Sequence, residues 1–386
     1  MADVRPHLLL AGVSTRALAV SAARAGWRVT AVDAFGDLDL RAAADVVALT
    51  RELGGFTAEA ALRAARGVAA DAVAYTSNFE NHPEAVALIA RGRELLGNPP
   101  EVLLAVRRPI ALARMLARRG FAVPRTRASA TRSAPALDTA WLVKPRRSGG
   151  GRGILPWRTG GRVPRAAYLQ ERIRGVPGSI IFLADGRRAH PLGLTRQLVG
   201  EPAFGGHGFA YCGSLLGSPG APLFTREAEL RARAEALAAA VTEEYGLVGL
   251  NGIDFIARDG VPFPLEVNPR VCASMELVER LGGPPLFPLH LRACRGALPD
   301  PATPPDDRRV AGKAVVFARR GVVATELRGL RTAAADVPHQ GERIGRGQPI
   351  CTVFAEGGDA GECVRGLTAR ARELYALLET HARGAA

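Results

Sequence analysis

Two carboxylates and an amide in the second half of the chain have the types and spacing of a metal site. Asp254 lies in one apolar segment, and Glu266 and Asn268 lie in a second segment after the turn Arg258-Asp259-Gly260. Such a turn between two strand-like segments predicts a β-hairpin. Because alternate residues of a strand share a face, Glu266 and Asn268 point to one side, where Asp254 can join them. Mg²⁺ and Mn²⁺ prefer such all-oxygen ligand sets, so the sequence predicts a divalent metal site.

Arg270 follows this set at the same alternating spacing. It would point to the same side, where its guanidinium could hold a transferring phosphoryl group. The alternative is a strand face that is merely solvated. Asn and Pro are poor strand formers, so the segment Glu266–Arg270 is an unusual choice for a solvated strand, and we favour the phosphoryl site.

A lysine in front of a glycine-rich loop gives a second candidate site. The chain has only two lysines among its 51 Lys and Arg residues, and one of them, Lys144, precedes four glycines within residues 149–153. This skew suggests that lysine persists where a guanidinium cannot replace it. An ammonium group beside flexible backbone N–H groups suits a nucleotide phosphate, although the order differs from a Walker A loop. The alternative is a chance lysine before a surface turn.

The strand and helix patterns predict an α/β protein that could position these residues. Residues 8–33 have the pattern strand, turn, helix, strand, in which a hydroxyl at Ser14 or Thr15 can cap the helix. The alternation of strands and helices continues and predicts a parallel sheet. Short strand-like segments, Ser179–Leu183 among them, then predict a small antiparallel lid with the glycine loop. An amphipathic helix from Glu227 to Tyr245 follows.

The predicted domain boundaries follow these patterns. They are a Rossmann-like domain over 1–98, a linker helix over 99–124, a lid over 125–185, a metal-binding domain over 186–300 and a separate β-rich tail over 301–386.

Composition excludes several classes of protein. Apolar residues make up 47% and charged residues 23% of the chain, as in a globular protein. There is no uncharged apolar run of about 18 residues and no leader-like N-terminus, which predicts no membrane span and a cytoplasmic location. The five scattered cysteines lack Cys-x-x-Cys spacing and are predicted to be reduced thiols.

Two other functions are kept as alternatives. The net charge of +14 would suit nucleic acid, but the arginines occur along the whole chain and only 5% of residues are aromatic. We therefore expect no nucleic-acid partner. A nicotinamide dehydrogenase with Asp33 on a ribose is disfavoured because residues 8–33 lack Gly-x-Gly-x-x-Gly.

The order of Lys144, the glycine loop, Gln170-Glu171, Asp254 and Glu266-x-Asn268-x-Arg270 resembles that of the ATP-grasp superfamily. This superfamily contains carboxylate–amine and carboxylate–thiol ligases, and the resemblance includes its biotin-carboxylase-like branch over nearly the whole chain. It implies an ATP-grasp fold with a Rossmann-like N-terminal domain, an antiparallel lid, an ATP-grasp domain and a β-rich tail. ATP and Mg²⁺ (or Mn²⁺) are the implied cofactors, and the resemblance allows a homodimer.

The resemblance also implies roles for individual residues. Lys144 and Arg270 would act on the phosphoryl group, and Glu171 and Ile173 would face the adenine. Asp254, Glu266 and Asn268 would bridge two metal ions to the phosphates. The loop residues that would close over the phosphates are Ser148, Gly149, Gly150, Gly151 and Gly153.

Two positions depart from the family pattern. Gly178 stands where members usually have an acidic residue for the ribose hydroxyls, so ribose binding is unassigned. An earlier ATP-contacting lysine is also missing, and Arg108 or Arg114 is predicted to replace it.

The implied reaction joins a carboxylate to an amine. Transfer of the γ-phosphoryl group of ATP would give an acyl phosphate that an amine can attack, while the protein positions the reactants and neutralises charge. The residues predicted for the substrate pocket are Arg196, Gln197, Tyr211, Ser274 and Glu276. The segment from Asn268 to Leu277 resembles an ATP-grasp group associated with tetrahydromethanopterin and methanofuran cofactors, which implies joining an amino acid such as glutamate to an aromatic amine. The alternative within the fold is a carboxylase that activates bicarbonate.

Overall fold

A computed structural model of the chain describes residues 5–52, 55–128, 140–158, 163–300, 307–325 and 334–384. The N-terminal part is a parallel sheet with the strand order β3-β2-β1-β4-β5. Its strands are β1 (His7–Gly12), β2 (Arg28–Asp33), β3 (Asp45–Ala48), β4 (Ala72–Tyr75) and β5 (Glu94–Leu96). Its helices are α1 (Arg16–Arg24), α2 (Leu38–Arg41), α3 (Leu49–Glu52), α4 (Ala58–Ala65) and α5 (Pro83–Ile89).

The order of this sheet reverses between β1 and β4, and ligand crevices of parallel sheets form at such points. The loop after β4 enters this crevice and includes a one-turn helix, Phe79–Asn81. The loop after β1 is fixed by Asp33, which accepts hydrogen bonds from the backbone and hydroxyl of Thr15 at 2.7 and 2.8 Å. The sequence predicts that a hydroxyl at Ser14 or Thr15 caps α1. The Thr15 hydroxyl does not do so, because it donates to Asp33 instead.

Asp33 has no room for the ribose role of a dehydrogenase. Besides the two donors of Thr15, its other oxygen accepts the backbone N–H groups of Phe35 and Gly36 at 2.8 and 2.9 Å. The side chain is 1% exposed. The carboxylate is thus committed to holding two loops together.

Two short helices lead from this domain to the lid. They are α6 (Pro100–Val106) and α7 (Pro109–Arg118), and a proline begins each of them. The lid is an antiparallel sheet with the order β6-β9-β7-β8. Its strands are β6 (Thr126–Arg127), β7 (Trp141–Pro145), β8 (Leu155–Pro156) and β9 (Ala167–Glu171).

The third unit is an eight-stranded antiparallel sheet with the order β14-β13-β10-β11-β12-β15-β19-β17. Its strands are β10 (Val176–Asp185), β11 (Ala189–Val199), β12 (Tyr211–Gly217), β13 (Val248–Arg258), β14 (Val261–Asn268), β15 (Val310–Phe317), β17 (Ala334–Ala335) and β19 (Pro349–Gly357). A separate small pair consists of β16 (Val322–Val323) and β18 (Arg343–Ile344). The helices of this unit are α8 (Glu227–Tyr245), α9 (Glu276–Arg280), α10 (Leu286–Cys294) and α11 (Ala360–Gly384).

Helix α8 has the predicted bounds and buries the apolar face that the sequence predicts. The buried residues of that face are Leu230, Ala234, Leu237, Ala238 and Val241. They join a core formed with the large sheet. The parallel N-terminal sheet, the antiparallel lid and this sheet confirm the predicted α/β fold class.

Two details of the predicted organisation are wrong. Residues 179–183 belong to β10, which pairs with β11 and β13 of the large sheet rather than with the lid. The C-terminal segment is not a separate piece, because β15 pairs with β12 and extends the same sheet. Apolar alternation predicts a strand but does not tell which neighbour it pairs with. Among the helices of the described residues, none has the length and apolar character to cross a membrane.

Candidate active site

The predicted hairpin brings its three oxygen-bearing side chains together. Asp254 lies opposite Glu266 in the β13–β14 pair, and Asn268 donates from Nδ2 to Oδ2 of Asp254 at 3.0 Å. Asp259 and Gly260 at the turn both have positive φ, as a two-residue hairpin turn requires. The local sequence therefore places two carboxylates and one amide on a single face.

The two carboxylates differ in their electrostatic surroundings. Burial, reinforced by the nearby charge of Glu266, raises the pKa of Asp254 to about 6. Burial opposes ionisation of Glu266 as well, but the charges of Arg107, Lys144 and Arg270 lower its pKa. Glu266 is therefore the more readily ionised carboxylate of the pair, and an added positive charge would favour ionisation of Asp254.

Protein N–H donors occupy the oxygens of this set. Gln197 donates to Oδ1 of Asp254 at 2.9 Å, Arg107 donates to Oε2 of Glu266 at 3.2 Å, and Arg270 donates to Oδ1 of Asn268 at 3.2 Å. Within the described residues, no group of three or more His, Cys, Asp or Glu side chains could hold a metal ion. A divalent ion here would thus need oxygens from a bound ligand beside the three protein groups.

Lys144 faces the same hairpin from strand β7 of the lid. Its Nζ donates to Oε1 of Gln170 at 3.0 Å, and Gln170 in turn donates to the carbonyl of Leu265 at 3.4 Å. Burial lowers the pKa of Lys144, while the charges of Glu266 and Asp254 raise it. The structure therefore places the ammonium group, 7% exposed, within the field of the carboxylates.

The glycine loop lies against the beginning of β12. Gly150 and Gly151 have φ of 62° and 77°, and a side chain at Gly151 would overlap the carbonyl oxygen of Phe209. The carbonyl of Gly150 accepts the backbone N–H of Tyr211 at 3.1 Å. Glycine is therefore favoured at position 150 by the backbone angle, and required at position 151 by both the backbone angle and the close approach of Phe209.

Arg270 is held by an acidic residue that the sequence analysis missed. Its Nε lies 2.9 Å from Oε1 of Glu80, a carboxylate that is 1% exposed in its side chain. Glu80 comes from the one-turn helix after β4, so the N-terminal domain fixes the arginine. The signal in the sequence was a polar residue after a buried strand, but nothing local connects it to Arg270.

Arg107 is the second residue that sequence reasoning missed. It lies in the break between α6 and α7, whereas the predicted substitutes for the missing lysine, Arg108 and Arg114, are exposed. Buried polar atoms near the site also lack partners among the described residues, namely Nε of Arg107 and Oε2 of Glu80. Since unpaired buried polar atoms are uncommon, they fit a site that completes its contacts with a polar ligand.

Two predicted substrate residues lie on opposite faces of β11. Gln197 reaches Asp254, so it faces the hairpin oxygens. Arg196 precedes it in the strand and therefore points to the other face, where it lies opposite Leu215 of the core. The structure thus brings Gln197 but not Arg196 to the site.

Tyr211 lies between the glycine loop and the sheet. Its hydroxyl is 2.9 Å from Oγ of Ser214, a buried residue opposite Gln197. Ser274 is buried in the one-turn helix Ala273–Met275, on the chain between Arg270 and α9. Tyr211 therefore stays a candidate for contact with substrate.

The predicted adenine-facing residues lie at the end of β9. Oε2 of Glu171 accepts the backbone N–H and Nε of Arg125 at 3.0 and 3.2 Å. Ile173 follows as a half-buried residue. At Gly178, an added side chain would press against Phe224 and Phe255, so the fold has no space for an acidic ribose ligand there.

Glu276 belongs to a buried ion network rather than to an open pocket. Arg16 donates to its two oxygens at 2.7 and 3.2 Å, and Lys313, the second lysine of the chain, also pairs with it. Arg16 further donates to Oδ1 of Asp336 at 2.9 Å. This network joins the N-terminal domain to the large sheet, and it accounts for all of the contacts of Glu276 without a substrate.

Arg16→Met is expected to destabilise the protein by about 3–5 kcal/mol at neutral pH, because two buried carboxylates lose their partner. Burial alone would raise the pKa of Asp336, but Arg16 and Lys313 lower it to about 2. In the wild type, this carboxylate contributes stability above pH ~4 that is lost as the pH falls toward 2. Without Arg16 its pKa rises, so the stability difference between the two proteins should shrink on acidification. At pH 4.5 the wild type keeps this stability, and the difference shrinks because the variant takes up a proton on Asp336. Urea unfolding at pH 7 and pH 4.5 measures both the destabilisation and its decrease, and a pH-independent difference would contradict this assignment.

Comparison with known proteins agrees with this geometry. Residues 110–274 match the family described as the ATP-grasp domain. An uncharacterized protein of Methanocaldococcus jannaschii is 29% identical over 116 residues, which cover 30% of this chain and 28% of that protein. The chain thus aligns with less than a third of the length of this relative.

Solved structures resemble nearly the whole chain. Biotin carboxylase from Campylobacter jejuni, in a βγ-ATP complex, has a TM-score of 0.73 at 14% identity and aligns with 94% of this chain and 90% of its own. The L-amino acid ligase of Bacillus licheniformis has a TM-score of 0.68 at 17% identity and aligns with 96% and 98%. At these identities the likeness shows the fold.

Proposed function

Because the chain contains an ATP-grasp domain over residues 110–274, we propose that it is a Mg·ATP-dependent carboxylate–amine ligase. The observation that carries this proposal is the convergence of the three hairpin side chains with Lys144 of the lid. These side chains come from the lid and the large sheet, and their chemistry suits a polyphosphate with a divalent cation.

The residues present fit Mg·ATP. Asp254, Glu266 and Asn268 would hold the metal, and Lys144 with the backbone of Ser148–Gly153 would hold the phosphates. ATP supplies the phosphoryl group that turns a carboxylate into an acyl phosphate, which an amine attacks with release of phosphate. The half-buried Asp254, whose pKa is raised to about 6, fits such a ligand because it gains a partner of opposite charge.

The protein itself contributes position and charge. Arg270, fixed by Glu80, presents a guanidinium next to Asn268 and would neutralise the charge of the transferring group. The glycine loop closes against Tyr211 and would exclude water that could hydrolyse an acyl phosphate. Gln197 and Tyr211 lie where a carboxylate substrate could meet the phosphoryl group.

The finer part of the proposal concerns the substrates. The resemblance of the segment after Asn268 supports an amino acid such as glutamate as one substrate and an aromatic amine as the other. The similar fold of the Bacillus licheniformis L-amino acid ligase also supports an amino acid substrate. Biotin carboxylase has a similar fold with a TM-score of 0.73, against 0.68 for the amino acid ligase, so bicarbonate activation is the second candidate.

ADP release measured across pairs of carboxylates and amines tests this proposal. We expect release that requires Mg²⁺, one carboxylate and one amine together, with an amide product that mass spectrometry identifies. Release with bicarbonate and no amine would instead support the carboxylase. A duplex DNA complex that weakens with salt and ignores ATP would support nucleic-acid binding and contradict both.

A further inference from the structure

The guanidinium of Arg107 joins three parts of the molecule at the candidate site. It donates to Oε2 of Glu266 at 3.2 Å and to the carbonyl of Val267 at 3.3 Å on the hairpin. It also donates to Oδ1 of Asn81 at 2.9 Å in the N-terminal domain and to the carbonyl of Ser148 at 3.3 Å in the glycine loop. One cation thus ties together the elements that would surround a nucleotide.

Arg107 still has unused bonding capacity. Its side chain is 13% exposed, and Nε is buried without a hydrogen-bond partner among the described residues. An arginine that served only to hold the structure together would be expected to have all its buried donors paired. The two terminal nitrogens already make four hydrogen bonds, so a ligand with acceptor oxygens would have to displace one of these partners.

Arg107 and a divalent cation would compete for Glu266. A metal ion on Glu266 would lie close to the guanidinium, and two cations next to one carboxylate repel each other unless an anion lies between them. A polyphosphate is such an anion, because it can bind the metal and accept the planar donors of arginine at once. The geometry therefore favours uptake of the metal together with the nucleotide over uptake of the metal alone.

We infer that Arg107 is the counter-ion of Glu266 in the ligand-free protein and exchanges this carboxylate for the polyphosphate of a metal-bound nucleotide. This inference rests on the proposed function and adds to it an order of binding. While Arg107 holds the carbonyl of Ser148, the exchange also links the glycine loop to nucleotide binding. Arg107 is thus a nucleotide-binding residue that sets when the metal site becomes available.

The experiment compares Arg107→Met with Arg118→Met, an exposed arginine of helix α7, using Mn²⁺ as the probe. Electron paramagnetic resonance of free Mn²⁺ measures binding of the ion alone and of the ion with a non-hydrolysable ATP analogue. For Arg107→Met we expect Mn²⁺ alone to bind about 10-fold more tightly, since its competitor is gone, and the Mn²⁺–analogue complex to bind about 10-fold more weakly. Arg118→Met should match the wild type in both measurements.

The opposite signs separate this role from a structural one. If both affinities fall together, or neither changes, Arg107 is not the exchanging counter-ion and the inference is wrong. If Arg107→Met does not fold, Arg107→Lys is used, which keeps the positive charge but lacks the planar guanidinium with its several N–H donors. It should keep wild-type Mn²⁺ binding and lose hydrogen-exchange protection in residues 146–153, and unchanged protection would overturn the inference. A wild type that binds neither Mn²⁺ nor the analogue contradicts the proposed function itself.

Discussion

Glu266→Gln is expected to lower the rate of ADP release by about 10³-fold while the protein stays folded. Glutamine keeps the shape of the side chain and removes the charge that a divalent ion needs. Of the two hairpin carboxylates, Glu266 is the one whose pKa neighbouring cations lower. Its loss therefore removes the carboxylate that ionises more readily, and leaves Asp254, whose pKa is raised to about 6, as the single carboxylate for the metal.

The matched control is Glu243→Gln. Glu243 also pairs with an arginine, Arg119, at 2.6 Å, but its side chain is 68% exposed on the surface of α8. Exposed ion pairs contribute little to folding stability, so we expect Glu243→Gln to have wild-type turnover and stability. Far-ultraviolet circular dichroism and thermal unfolding check that Glu266→Gln is folded. Turnover within about 10-fold of the wild type in Glu266→Gln would show that the hairpin does not hold a catalytic metal.

The hairpin site could be predicted because it is local. The turn at Asp259-Gly260 fixes the pairing, and strand alternation then fixes which side chains share a face. The bounds of α8 were predictable for the same reason, since one apolar face over five turns and a following Gly246 define its length.

The contacts that complete the site are long-range and could not be predicted this way. Glu80 reaches Arg270 and Arg107 reaches Glu266 only after the N-terminal domain has packed against the large sheet. Charge alone did not identify them, because the chain has arginines along its whole length. Lys313 is the other of the two lysines, and composition did not reveal that it belongs to a buried ion network with Glu276.

The sequence predicts both Arg196 and Gln197 as substrate residues, although neighbouring residues of a strand point to opposite faces. Both are polar residues in the same segment, and the sequence does not tell which face of β11 meets the hairpin. That choice depends on the pairing of β11 with β10 and β12. A register shift of one residue would have exchanged the two side chains.

Lys144→Arg is expected to lower turnover by about 10²-fold, which is the second large effect. Lys144 is 7% exposed, and its ammonium group donates to Gln170 within a buried part of the lid. A guanidinium there is larger, planar and directed differently, so it would displace the phosphates or the lid strand. Overpacking of this kind also costs about 1–3 kcal/mol, which thermal unfolding would show.

Lys144→Met separates charge from shape in the same position. Because burial lowers the pKa of Lys144, the charged form is held at a cost, and an apolar side chain should leave stability unchanged or higher. Turnover should nevertheless fall further than in Lys144→Arg, since no cation is left for the phosphates. Arg188→Lys, in an exposed turn, controls for the exchange of the two cations and should change neither quantity. If Lys144→Arg turned over ATP at the wild-type rate, the persistence of lysine in this arginine-rich chain would have no functional cause at this position.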